Sequence, residues 1–166
     1  KVGKSKMKVG KMFMDRNLRL EYSEQWEESA EFFNRNKDYE WMAKKVESYD
    51  VILEIGCGTG YSTLSLLKKR RKVVVVENNE FCIEKTKQLL NIKGYTYGGA
   101  EDDFSKVDVI LLKGDICEDG LGNRLLKYGI KAIVCWNIGS YWSKEMLQKY
   151  TLPMLKYGLT VSQIKE

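Results

Sequence analysis

Three glycines at alternate positions, Gly56, Gly58 and Gly60, close the stretch VILEIGCGTGYS (51–62). Three carboxylates stand in related places: Glu54 just before the glycines, Glu77 17 residues beyond Gly60, and Asp115 after a later apolar run. Glycine permits positive φ and brings bare backbone close to a ligand. A helix starting at Tyr61 or Ser62 turns its free N–H groups toward the same crevice. An acid at the end of the next strand accepts both hydroxyls of a ribose. Asp115 is placed to accept from an exocyclic amine, and the Ile116 N–H to reach a ring nitrogen. The set points to a nucleoside-bearing ligand. A dinucleotide fingerprint, G-x-G-x-x-G, needs a further glycine at 61 or 63, where the chain has Tyr61 and Thr63.

What is missing narrows the chemistry further. The chain has no histidine, so Ser-His and Cys-His nucleophile pairs and a histidine general base are excluded. Zinc would need all four cysteines, Cys57, Cys82, Cys117 and Cys135, and none forms a C-x-x-C pair. No metal site is expected, and the cysteines read as reduced, mostly buried thiols of a cytoplasmic protein. No apolar run approaches the ~20 residues that cross a bilayer.

These residues must be positioned by alternating strands and helices. VILEI (51–55) and KVVVVE (72–77) are the near-continuous apolar runs of strands buried on both faces. VDVILLKGD (107–115) and IKAIVCWNI (130–138) read as third and fourth strands, and YTYGGAEDDFS (95–105) as loop. Helices are predicted over YSTLSLLKKRR (61–71), over NEFCIEKTKQLLNIKG (79–94), as a short turn of helix in GLGNRLLKYG (120–129), and over SKEMLQKYTLPMLKYG (143–158). In the second of these Phe81, Ile83, Leu89 and Ile92 are the expected core contacts and Gly94 the terminator. Before the first strand, residues 22–49 carry Trp26, Ala30 and Phe33, then Tyr39, Met42 and Val46, at helical spacing, with a break at NRNKD (34–38). Such alternation gives a parallel sheet covered on both faces, with ligands beyond the carboxyl ends of the strands.

The net charge of +5 is uneven. Residues 1–20 hold seven basic residues against Asp15, a local +6 that leaves about −1 for the rest. Residues 1–21 are therefore read as a basic arm and 22–166 as one domain, with helices over 22–49 and the core over 50–166. The arm and KKRRK (68–72) are the features that suit a nucleic-acid partner.

LEIGCGTG (53–60), followed by Glu77 and Asp115, resembles the first motif and acid order of class I S-adenosylmethionine-dependent methyltransferases, over about residues 40–150. The resemblance implies a Rossmann-like α/β three-layer sandwich with a mostly parallel sheet. It implies that the backbone of Gly56, Cys57 and Gly58, with Gly60 closing the loop, lines the methionine part of the cofactor, and that Glu54 orients the loop and meets the amino group. Glu77 takes the ribose hydroxyls, Asn78 lies near the adenine, Asp115 binds the adenine amine, Ile116 packs against the ring, and Asn137 offers its carbonyl to the methionine ammonium. Charge agrees, since Glu54, Glu77 and Asp115 suit a sulfonium nucleoside and repel a pyrophosphate. Methyl transfer needs alignment and exclusion of water more than a general base, so no catalytic residue is required by the pattern. Asn137, Tyr141 and Trp142 in NIGSYW are the acceptor-side candidates, although Gly139 stands where base-directed relatives have proline. The family sheet has seven strands and four are legible here, so a sheet short at its C-terminal end, with an edge open to a partner chain or second copy, is expected. The expected acceptor is a small molecule. RNA, a non-catalytic cofactor-binding module and a nicotinamide oxidoreductase are the alternatives.

Overall fold

A computed structural model describes residues 16–68 and 71–136 of the chain. Two helices come first, α1 (Arg16–Arg35) and α2 (Asp38–Lys44), separated at NRNKD as the sequence predicts. Helix α1 covers Arg16–Arg35, so residues 16–21, expected in the arm, are helical. The break is made by Lys37, whose φ of 64° is the left-handed conformation. It is the single non-glycine residue with positive φ among the described residues.

The sheet follows. Its strands are β1 (Val51–Ile55), β2 (Lys72–Glu77), β3 (Tyr97–Gly98), β4 (Val109–Lys113) and β5 (Ala132–Cys135), in the order β3-β4-β2-β1-β5. All four pairings are parallel. The third and fourth predicted strands are present but shorter than their apolar runs. The short β3 falls in the stretch expected to be loop: it has one pairing neighbour, so alternation and length left no signal there. The remaining elements are α3 (Tyr61–Leu67), α4 (Glu80–Ile92), α5 (Leu121–Leu125) and a 3-10 turn at Leu126–Tyr128. The predicted helix over 143–158 lies outside the described residues.

Because successive side chains of a strand point to opposite faces, the sheet sorts its apolar residues into two cores. Ile52, Val73, Val75, Val109, Leu111 and Val134 pack with Ala43, Leu66, Leu67, Ile83 and Leu90, under α2, α3 and α4. Leu53, Val74, Val76, Ile110 and Leu112 pack with Leu121 and Tyr128 under α5 and its 3-10 turn. The result is a three-layer, Rossmann-like α/β fold with a parallel sheet. Ile92 corrects one expectation: it is 76% exposed, because α4 reaches its C-cap at Lys93 and has turned past the core. Of the four cysteines, Cys57 and Cys82 are buried and Cys117 and Cys135 exposed, so only half follow the buried-thiol reading. No described helix is long and apolar enough to cross a membrane.

From β1 the chain steps to β2, goes out to the edge strand β3, comes back to β4 between them, and returns to place β5 on the other side of β1. The strand order therefore reverses beside β1, and a parallel sheet opens its crevice at such a point. The glycine loop leaves β1 there.

Candidate functional site

The loop of residues 56–60 joins β1 to α3. Gly58 has φ +53°, and a Cβ placed on it would lie 2.1 Å from Nε1 of Trp26 and 2.5 Å from its Cδ1. The indole of Trp26, from α1, thus fills the space beside the second glycine. Gly60 serves the other side: at φ +92°, its Cβ would meet Thr86 of α4 at 3.0 Å, so this glycine lets α3 pack on α4. Cys57 is buried between them, its Sγ 3.3 Å from Thr86 Oγ1, and burial raises its thiol pKa. Thr59 is 2% exposed, and its Oγ1 is the one buried side-chain polar atom without a partner among the described residues.

Glu54 sits inside. It is fully buried, and its two oxygens accept from Ser62 Oγ and, at 2.5 Å, from Thr63 Oγ1. Ser62 and Thr63 begin α3, so the carboxylate ties the end of β1 to the helix after the glycines. Burial pushes its pKa up to about 7 despite those two donors. It faces α3 and is absent from the cleft wall, so in this structure it positions the loop.

Glu77 ends β2 at the mouth of the cleft. Its Oε1 accepts from the N–H groups of Asn78 and Asn79, each at 2.9 Å, and its Oε2 from the N–H of Gly58 at 3.3 Å. One carboxylate therefore braces the glycine loop against the turn into α4. Burial raises its pKa, and the three amide donors oppose that rise. The surrounding cleft, of about 150 Å³, is lined by Tyr22, Ile55, Gly56, Val76, Glu77, Asn78, Gly114 and Ile116. Among the described residues Glu77 is the one acid in its wall.

Asp115 lies outside that wall. It is exposed, and its Oδ1 accepts from the N–H of Cys117 at 2.9 Å, closing a turn. Its neighbours Gly114 and Ile116 do line the cleft, and Ile116 is 51% exposed. The structure thus brings Gly56, Glu77, Asn78 and Ile116 together, sets Gly58 and Cys57 behind them, and keeps Glu54 and Gly60 for packing. Asn137, Tyr141 and Trp142 lie outside the described residues.

The aromatics of residues 22–49 suit packing on a core or, as the alternative, covering a ligand pocket, and in the structure α1 forms a wall of the cleft. Tyr22 lines the cleft and stacks on Trp26, with ring centroids 6.4 Å apart and planes within 5°. The helix is tied across the strand ends at several points. Arg19 donates to the Asn78 carbonyl at 2.5 Å and to Glu80 at 3.2 Å, and Asn79 Nδ2 donates to the Arg19 carbonyl at 2.9 Å. Glu27 pairs with Lys85 of α4, and the Tyr61 hydroxyl donates to Glu31 at 3.4 Å. The spacing of Tyr22 and Trp26, one helical turn apart, was the available signal. It marks a shared face and leaves open what that face covers.

No family model matches the sequence, and no curated protein matches it. Among solved structures the chain is similar to a dimethyladenosine transferase from Plasmodium falciparum, with 20% identity and a TM-score of 0.43 over 72% of this chain and 35% of that one. It is also similar to an SAH-bound methyltransferase from Podospora anserina, with 17% identity and a TM-score of 0.41 over 85% of this chain and 78% of that one. The chain spans about a third of the length of the first.

Proposed function

We propose that the protein binds S-adenosylmethionine at the ends of β1 and β2 and acts as a methyltransferase. The observation that carries this reading is the charge of the cleft wall: among the described residues Glu77 is its one carboxylate, and the nearby Arg19 is engaged by the Asn78 carbonyl and Glu80. A pyrophosphate placed there would face the Glu77 carboxylate at close range, whereas a ligand bearing sulfonium and ammonium groups is attracted to it. The chemistry of the wall fits the group. Glu77 offers acceptors to ribose hydroxyls, Gly56 offers bare backbone, and Ile116 and Asn78 flank the place for the base. When bound, S-adenosylmethionine supplies an activated methyl group, open to in-line attack by a nucleophile. The chain's own part is to bind, align and exclude water: Glu54 fixes the loop through Ser62 and Thr63, and Tyr22 with Trp26 covers it.

Small-molecule sites run from about 300 Å³ upward, and the cleft is about half that. Admitting the ligand would require α1 to move outward. Its polar ties to Asn78, Glu80 and Lys85 are at the rim, where they part at low cost. The expected small-molecule acceptor rests on Asn137, Tyr141 and Trp142, which lie outside the described residues. An RNA acceptor has support among the described residues, in a basic groove beside α3.

Calorimetry with S-adenosylhomocysteine and with NAD side by side tests the reading. The former should bind and NAD should not. Glu77→Ala should weaken S-adenosylhomocysteine by about tenfold or more, the loss of a charged hydrogen-bond partner. Tight NAD binding, or an unchanged affinity in Glu77→Ala, overturns it.

A further inference from the structure

A second concavity, of about 590 Å³, runs along the outer face of the helical layer, between the α1–α2 corner, α3 and the end of α4. Four cations stand in its wall: Arg35, Lys37, Lys68 and Lys93. Lys68 pairs with Glu40 at 2.6 Å. The side chains of Arg35, Lys37 and Lys93 form no close ion pair among the described residues, although Glu40 lies near enough to act on Lys37. Tyr61 and Tyr95, both half-buried, lie in the same wall, and Ile92 presents 76% of its surface there. Glu40 stands in the same wall, and Glu31 accepts from the Tyr61 hydroxyl. Tyr61 directly follows Gly60, so the groove begins where the glycine loop ends.

We propose that this groove binds single-stranded RNA, its cations on the phosphates and its tyrosines against unstacked bases. Three observations converge. Four cations and one carboxylate line this one concave surface, a net charge of the sign a polyanion needs. Aromatic rings are set among the cations, which a purely electrostatic contact with an acidic protein or a membrane does not need, and which bases use for stacking. Finally, the backbone at Lys37 is held left-handed, at φ 64° and ψ 21°. A long side chain there is disfavoured where glycine or asparagine is at ease, and strain of this kind collects at binding positions. Unpaired stretches are the ordinary state of RNA loops, where proteins read exposed bases. The inference rests on the methyl-donor reading only for what happens to the RNA: it names the acceptor class, while binding itself stands on the groove.

The strained lysine makes the test clean. Lys37→Gly removes the charge and relieves the backbone, so the variant should melt no lower than wild type. Arg35→Gln/Lys37→Gly/Lys93→Gln in the full chain is compared with Lys106→Gln/Lys127→Gln/Lys131→Gln, three exposed lysines away from the groove. Fluorescence anisotropy follows a labelled RNA of about 12 nucleotides, a length within the usual site sizes, across a salt series. The groove variant should lose about tenfold or more in affinity, and the slope of log K against log salt should shrink by about 2, from ~0.7 per phosphate contact removed. The control should keep wild-type slope and affinity. Equal losses in both variants, no RNA binding at low salt, equal affinity for duplex or single-stranded DNA, or preference for polyglutamate or anionic vesicles each overturns the proposal. S-adenosylhomocysteine calorimetry on the same variants separates the two readings: donor binding should be unchanged, and its absence with RNA binding intact would remove the donor site and leave the groove.

Discussion

The two faces of the sheet are filled differently. Under α5, Leu53, Val74, Val76, Ile110 and Leu112 meet Leu121 and Tyr128, and none of the buried polar or charged side chains belongs to β4, β5 or α5. Under α1 to α4 the core is also apolar, yet Glu54, Thr59, Ser62, Thr63, Ser65, Asn79 and Thr86 are buried on that side. The first face holds the molecule together by burial alone. The second adds a network that fixes one junction, from β1 through the glycine loop into α3 and across to α4. A buried carboxylate is costly in a core unless it is partnered, and Glu54 is partnered by the residues that must be held for the loop to keep its shape. Burial alone and the polar network thus occupy opposite sides of the same five strands, and the cleft at the strand ends draws on both, Glu77 from one side and Ile55 and Val76 from the other.

That contrast can be broken from either side. The largest effect is expected on the apolar face: Ile110→Ala, at a fully buried site, should cost about 4 kcal/mol in urea unfolding and leave ligand affinity in the cleft unchanged. A change in that affinity would mean that the faces are not independent. On the polar face Glu54 gives a pH signature. Its pKa rises from 4.5 to about 7 on folding, so the folded state holds the proton more tightly and stability falls as pH rises across that window. The deprotonated carboxylate then costs on the order of 3 kcal/mol. Glu54→Gln should flatten the profile and exceed wild type in stability at pH 8, and an unchanged slope in unfolding measured from pH 4 to 8 would assign the dependence elsewhere. Gly58→Ala should lose about 2 kcal/mol, from the left-handed backbone and the clash with Trp26. Adding Trp26→Ala should recover part of it, and strict additivity of the two would separate the glycine from the indole. The smallest effect is at the rim: Lys85→Gln removes a partly exposed pair with Glu27 and should cost about 0.5 kcal/mol at low salt, vanishing in 1 M salt.

Much of this was legible beforehand. VILEI and KVVVVE announced β1 and β2 to the residue, because strands buried on both faces have no polar positions to blur their ends. The break at 34–38 and the end of α4 near Gly94 were equally plain. The short β3 was not, since two residues carry no period. Ile92 was misplaced because helical spacing gives a face and says nothing of where that face runs out of partners. The position of Asp115 was read correctly as following a strand, but which way its side chain turns depends on a local bond to Cys117.

Composition and order by themselves determined the parallel α/β sheet, the glycine loop after β1, and the acid at the end of β2, because apolar period and backbone permissiveness are properties of the local chain. Only the tertiary structure decided what those residues face. It turned Glu54 inward to α3, closed Gly58 with an indole 32 residues earlier in the chain, and gathered Arg35, Lys37, Lys68 and Lys93 around one groove. Contacts between residues far apart in sequence depend on how layers pack, and no local pattern records that.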